Sequence, residues 1–353
     1  MKIAVLTGAG ASLCLGYPTM RGFLESLDQK DREYAVWLGA DTSLWDRTGA
    51  PGPDCFDLEI LLDRLTWMAD LSGLAEKLPP QLKPGLTGAP PPPSGYAAYA
   101  FLNPDGPEAQ AERVRSLRKR VADKIALAYS GNPIESIESL ETVHGKLIQG
   151  LVTIAAGEPL DIFTTNYDPS IEFLQQLDDD AFPIATGFVH DRIENVLRFD
   201  ERSFTAKDVI RLYHLHGSFY WQDWGSDVIS VPAFRASTPA KILLPGPQKN
   251  SEARKAPFKS LYKRLLDASR TADVVIAIGY SGRDEEITHR LLLGAALDSG
   301  RRIIVAMPDK PSFGWTLVQE SLGSRCVHFP EKFETLVNNE TFWETVRAAP
   351  KKS

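Results

Sequence analysis

The sequence predicts an α/β fold built on an open, doubly wound parallel sheet, and three observations predict it. Short apolar runs at residues 3–6, 160–165, 272–278 and 302–307 are rich in β-branched residues and read as strands buried on both faces. Stretches whose apolar residues recur at helical spacing stand between them, which is the alternation of a parallel sheet with crossover helices. Two of the runs end in glycine turns, Gly8-Ala9-Gly10-Ala11-Ser12 and Gly279-Tyr280-Ser281-Gly282. In open α/β sheets ligands collect at the carboxyl ends of the strands, where such turns lie.

The first run ends in a loop that admits two readings. Glycines let the backbone turn sharply and bring its N–H groups near a pyrophosphate, and a helix starting after the loop would aim its positive end at the same place. An adenine dinucleotide is the ligand this suggests. The pattern departs from the Rossmann fingerprint, because Leu13 stands near where a third glycine is expected. The same ten residues also describe a tight strand-to-loop turn with no ligand. Downstream, Leu15-Gly16-Tyr17-Pro18-Thr19-Met20-Arg21 is turn-rich and folds back toward the loop, with Arg21 suited either to an anionic ligand or to a surface ion pair.

Residues 23–156 read as a large, mainly helical insertion. Leu58, Leu61, Leu62, Leu65, Met68 and Ala69 give one helical stripe, and Val114, Leu117, Val121, Ile125 and Ala128 give another. Arg113, Arg115, Arg118, Lys119, Arg120 and Lys124 fall on the outer side of that second helix, as a solvated face would require. Between these stripes residues 79–93, with Pro90 to Pro93 in a row, cannot be a packed element and read as an exposed loop. A third helix is expected over 137–156.

The second strand, 160–165, runs into Asn166-Tyr167-Asp168-Pro169, with a helix starting near Pro169. Residues 175–210 form a smaller insertion without clear periodicity. A strand at 212–216 carries His214 and His216 before Gly217-Ser218. The two-residue period puts both histidines on one face, where a metal pair is conceivable, but no third histidine or cysteine stands nearby. A histidine at a strand end before glycine is better suited to act as a positioned base, or to be a satisfied structural group. The remaining elements are a helix at 258–269, the strand 272–278, a helix at 285–297, the strand 302–307, a helix at 311–321 and the strand 326–329.

Composition narrows the class. With 353 residues, 43% hydrophobic, 24% charged and a net charge of −7, the chain is an ordinary globular protein rather than one that wraps nucleic acid by bulk charge. Cys14, Cys55 and Cys326 are too few and too far apart for a disulfide framework or a four-cysteine zinc ribbon. The leading apolar run of four residues is too short for a signal peptide or membrane helix, so a cytoplasmic location without membrane contact is expected.

Four signals therefore stand in one order: Gly8-Ala9-Gly10-Ala11-Ser12 with Gly16-x-Pro18-x-x-Arg21, then Thr165-Asn166-x-Asp168, then His216-Gly217, then Gly279-x-Ser281. This set resembles the sirtuin family, whose corresponding motifs bind NAD. The resemblance covers residues 1–21 and about 160–329 and leaves out the helical insertion. It implies a Rossmann-like core in which Gly8, Ala9, Gly10 and Ser12 hold the NAD phosphates and Arg21 lies near the nicotinamide end. Asn166 and Asp168 would hold the nicotinamide ribose, His216 would be the base, and Gly279, Ser281 and Asp284 would complete the NAD contacts.

Two departures refine the expectation. Thr19-Met20 stands where sirtuin deacylases carry Asp-Phe, and no zinc ribbon follows His216-Gly217. The Asn-Tyr-Asp variant, the insertion and Gly279-Tyr280-Ser281-x-x-Asp284 look more like the bacterial sirtuin-like NAD hydrolases of antiphage defence. The resemblance then implies a metal-free NAD glycohydrolase in which Asn166 and His216 are catalytic. It implies a homo-oligomer or a partner such as an ATPase or Argonaute-type subunit, and no direct nucleic-acid contact. A non-hydrolysing NAD or ADP-ribose sensor and a protein deacylase are the alternatives.

Overall fold

The computed structural model describes residues 1–17, 24–25, 27–38, 61, 65, 107–130, 137–205, 210–231, 240–243, 249–282, 284–296, 301–308 and 313–350. Arg21, most of the first predicted stripe and the proline-rich stretch 79–93 lie outside the described residues. By its contacts the chain divides into two units, residues 1–17, 129–242 and 253–353 in one, residues 18–128 and 243–252 in the other.

The first strand, β1 (Ile3–Thr7), is buried along its whole length. In the second unit, helices α1 (Gln29–Leu38) and α2 (Pro107–Ser130) are tied by Arg120, which donates from Nε at 2.6 Å and Nη2 at 2.8 Å to the two oxygens of Asp31. Pro107 opens α2, where a missing N–H costs nothing. Val114, Leu117, Val121 and Ile125 form its buried stripe, and Arg115, Arg118, Lys119 and Lys124 face solvent, as the spacing predicts.

The first unit resumes with a helical segment in which the π-helical turn Leu140–Gly145 runs into α3 (Lys146–Ala155). Leu147, Ile148, Leu151 and Ala155 bury one face of α3, and Ala156 ends it in the left-handed conformation. Next come β2 (Leu160–Thr164), α4 (Ser170–Leu177), β3 (Ile184–Ala185), β4 (Phe188–Asp191), β5 (Val196–Phe199), β6 (Ile210–His214), β7 (Trp221–Trp224) and β8 (Asp227–Ser230). The chain then runs through α5 (Phe258–Thr271), β9 (Val274–Ile278), α6 (Glu285–Ala296), β10 (Arg302–Ala306), α7 (Phe313–Leu322), β11 (Cys326–Phe329) and α8 (Glu340–Arg347).

Seven strands make one parallel sheet in the order β11-β10-β9-β1-β2-β6-β3. The chain steps from β1 toward β2 and β6 on one side, and from β9 toward β10 and β11 on the other. Right-handed crossovers consequently place α3 and the pair α6, α7 on opposite faces, a doubly wound Rossmann-like arrangement with its switch of direction between β1 and β9. The strands in the middle read as unbroken apolar runs because both faces are covered.

Three local expectations are corrected. No α-helix begins at the glycine loop among the described residues; two 3₁₀ turns, Ala9–Ala11 and Leu13–Leu15, follow it instead, closed by Gly16 at φ 89°. Residues 175–210 are not featureless, since β4 and β5 pair with β8 and β7 in a second, antiparallel sheet of order β4-β5-β8-β7. Their aromatic residues Phe188, Phe199 and Trp221 pack together and on Phe204, a cross-strand cluster that alternation alone did not reveal in strands of four residues. Finally, β6 stops at His214, so His216 lies in the turn beyond it rather than on a shared strand face.

Candidate active site

The parallel register brings four strand ends level. Thr7 pairs with Thr164 on one side and Ile278 on the other, and Thr164 pairs with His214. The loops that follow these residues, at 8–12, 165–168, 215–218 and 279–284, therefore emerge at one edge of the sheet beside the switch point.

The two glycine turns touch directly. Gly10 donates its N–H to the carbonyl of Gly279 at 3.0 Å, and Gly8 donates to Ile278 at 3.0 Å. A Cβ at Gly8 would stand 2.7 Å from the Gly279 carbonyl oxygen, and one at Gly10 would stand 2.8 Å from the Gly279 Cα. Gly279 itself has φ +60°, and its Cβ would lie 2.3 Å from the Ala11 nitrogen. Close backbone packing thus accounts for all three glycines. The Ala11 and Ser12 N–H groups close the loop on Gly8 and Ala9 at 2.8 and 3.2 Å. Of the four residues expected to hold the phosphates, Gly8, Gly10 and Ser12 thus have their N–H groups bonded within the protein, as does Ala11 beside them.

Beside this pair lies a buried polar chain. Asn166 donates from Nδ2 to the Gly8 carbonyl at 3.1 Å and to Ser12 Oγ at 2.7 Å, while Ser12 Oγ donates to Asp168 Oδ2 at 2.9 Å. Asp168 Oδ1 accepts the N–H of Ser170, the first residue of α4, at 3.2 Å. Burial holds the Asp168 carboxyl above the usual carboxylate range, against the hydrogen bonds from Ser170 and Ser12 that pull it down. With both amide hydrogens of Asn166 engaged, its Oδ1 is the group left to accept from a ligand.

The two histidines go separate ways. His214 bonds through Nε2 to Glu172 Oε1 at 2.7 Å and through Nδ1 to the Asn166 carbonyl at 3.4 Å. His216 bonds through Nε2 to Asp284 Oδ2 at 2.9 Å, and both residues are buried. The metal pair considered above thus gives way to two histidine–carboxylate pairs, and no group of three or more His, Cys, Asp or Glu is placed to hold a metal among the described residues. Tyr167 lies beside His216 with ring centroids 6.3 Å apart and meets Phe219 edge-on at 5.6 Å, an aromatic wall on one side of the imidazole. Ser281 occupies the turn between Tyr280 and Gly282, half-buried at the same edge. Burial pushes the Cys14 thiol up to about 12, which leaves no thiolate nucleophile here at neutral pH.

Burial alone would push the His214 imidazole down, but the Glu172 carboxylate more than offsets this and the ring titrates above its ordinary value. A histidine raised on folding contributes stability in full below its unfolded pKa and loses it as pH rises through the folded value. Glu172→Gln is accordingly expected to lower stability by ~1.5–3 kcal/mol at pH 6, the range for a charged hydrogen bond, with the deficit shrinking toward pH 9. Urea unfolding of both proteins at the two pH values checks this, and an equal deficit at both would count against a charged His214.

Residues 161–324 match the family model of the SIR2-like domain. That stretch contains Asn166, Asp168, His214, His216, Gly279 and Asp284, and it stops short of the glycine loop at 8–12. No curated protein matches the chain. Among solved structures the chain is similar to a Sir2 homologue–NAD complex at 16% identity and TM-score 0.40, covering 98% of this chain and 90% of that one. A mutant Sir2 homologue bound to 2′-O-acetyl ADP-ribose is similar at 16% identity and TM-score 0.40, over 98% and 92% of the two chains. A further mutant homologue bound to ADP-ribose follows at 15% identity and TM-score 0.39, over 99% and 94%.

Proposed function

We propose that this chain hydrolyses NAD to nicotinamide and ADP-ribose. The observation that carries the reading is the level edge at which Asn166 and His216, each two residues past the end of adjacent parallel strands, lie beside two stacked glycine turns at the switch point. The match of residues 161–324 to the SIR2-like domain supports it, because the same stretch holds both residues.

Cleavage of the bond between nicotinamide and ribose C1′ passes through an oxocarbenium-like state, as in other glycoside cleavages. Nicotinamide leaves with the bonding electron pair, and a water oxygen bonds to C1′. His216 takes the proton released by that water or by a ribose hydroxyl. Asn166 Oδ1 orients the hydroxyl or the water, and its amide is held in place by Gly8 and Ser12. Gly8, Ala9, Gly10, Ser12, Gly279 and Ser281 line the nucleotide side, with Asp168 as a further contact. Since a constantly active hydrolase would exhaust its own cell, the activity is held off until assembly or a partner releases it, as befits an effector of antiphage defence in the cytoplasm.

ADP-ribose at about 100 times its Kd is expected to stabilise the folded chain by ~2.7 kcal/mol, read as a rise in melting temperature. Nicotinamide release from NAD, followed by chromatography with the chain alone and with its genomic neighbours, is the direct test. Stabilisation without any turnover under all these conditions would favour the sensor reading, and no stabilisation by a folded chain would remove NAD as ligand.

A further inference from the structure

The two histidine–carboxylate pairs differ in what they leave over. Both nitrogens of His214 are consumed, one by Glu172 and one by the Asn166 carbonyl, so that ring is a strut. His216 spends only Nε2, on Asp284, and among the described residues Nδ1 has no hydrogen bond. We infer that Asp284 is the positioning residue of His216: its carboxylate holds the Nε2–H and so makes Nδ1 the nitrogen that takes the proton. The catalytic part of this rests on the NAD-cleaving function proposed above.

Asp284 is itself held on several sides. Its Oδ1 accepts the Ile287 N–H at 3.4 Å in the first turn of α6, and its carbonyl accepts from the Tyr280 hydroxyl at 3.2 Å. The Tyr280 carbonyl in turn accepts from Trp315 Nε1 at 2.8 Å, with the two rings edge to face at 5.9 Å. Thr288 Oγ1 donates to the Gly282 carbonyl at 3.1 Å, and α7 approaches so closely that a Cβ on Gly314 would lie 2.1 Å from that same oxygen. A carboxylate that only capped α6 would need the Ile287 contact and nothing else. This one is clamped with its second oxygen on the imidazole, the arrangement that fixes a tautomer.

Two measurements test the inference. Long-range nitrogen–proton correlation spectra of histidine-labelled protein, recorded at a pH where the His216 ring is neutral, should show it protonated at Nε2 and bare at Nδ1. This readout needs no turnover, so it stands even if the chain proves not to cleave NAD. Asp284→Asn presents either an oxygen or an amide to Nε2, so the tautomer is no longer fixed. It is expected to lower kcat for nicotinamide release ~10²-fold, within the range for a general base, while KM and the ADP-ribose affinity change less than about twofold. Asp284→Glu should recover part of kcat. A His216 protonated at Nδ1 in the unmodified protein would overturn the inference, as would Asp284→Asn turnover equal to wild type. Lost ADP-ribose binding in Asp284→Asn with the tautomer unchanged would overturn it too, and would make Asp284 a ligand contact. Wild-type inactivity with the expected tautomer would count against the proposed hydrolysis and leave the pairing standing.

Discussion

His216→Gln is expected to release nicotinamide from NAD ~10²–10⁴ times more slowly than the unmodified chain, the usual effect of removing a positioned acid–base group. Glutamine is preferred because it keeps a donor toward Asp284, which sits buried 2.9 Å from the imidazole. His216→Ala should be as inactive but would also leave that carboxylate without its partner, at a cost of roughly 1–3 kcal/mol. Asn166→Ala should likewise abolish release, and combining it with His216→Gln should cost far less than the product of the two single losses, because the groups serve one transition state. Thermal melts run beside the chromatographic assay separate lost chemistry from lost fold. A folded His216→Gln protein with near wild-type turnover would remove His216 as the base.

The second large effect concerns stability. Gly279→Ala is expected to destabilise the fold by about 4 kcal/mol, the sum of roughly 1–3 for a strained backbone angle and 1–3 for overpacking. The added Cβ would stand 2.3 Å from the Ala11 nitrogen at φ +60°, and the neighbour it meets is backbone that cannot swing aside. Gly323→Ala is the control, because Gly323 has φ +55° but nothing within 4 Å of the added carbon. It should carry only the backbone term. Against a typical total of ~5–15 kcal/mol, the first substitution threatens folding and the second does not. Equal effects in denaturant unfolding would mean that the packing of Gly279 on the first loop is unimportant.

What the sequence made legible follows from how its signals arise. Buried parallel strands are continuous apolar runs, and β1, β2, β9, β10 and β11 all stand within two residues of where those runs predict them. The short strands β4 and β5 escaped because four-residue pairs draw their stability from cross-strand aromatic contacts that one strand alone cannot display. At the site, Asn166, His216 and the two glycine turns were visible as residue types at strand ends, and the level register brings them to one edge. The pairing of His216 with Asp284 is not legible in the sequence, since the resemblance assigns Asp284 to the NAD contacts and no spacing links residues on separate strand–helix turns. Nor is the pairing of His214 with Glu172 across two elements. The glycine pattern predicts reach toward a phosphate, whereas the contacts of Gly8, Gly10 and Gly279 are with each other, a distinction that only the neighbouring strand reveals.

The placement of β1 at the middle of the sheet bears on how the protein is made. Its neighbours arrive late: the backbone of Lys2 donates to Asp273, 271 residues further on, and Gly10 finds Gly279 only when that turn has been synthesised. At ~5–20 residues per second, translation leaves the first glycine loop without its counterpart for roughly 15–50 s. During that interval the nascent chain displays an apolar strand that a holding chaperone can bind, and it lacks both the Gly279 turn and Asp284. A chain cut or abandoned before β9 therefore lacks both the turn that packs on the first glycine loop and the carboxylate that holds His216.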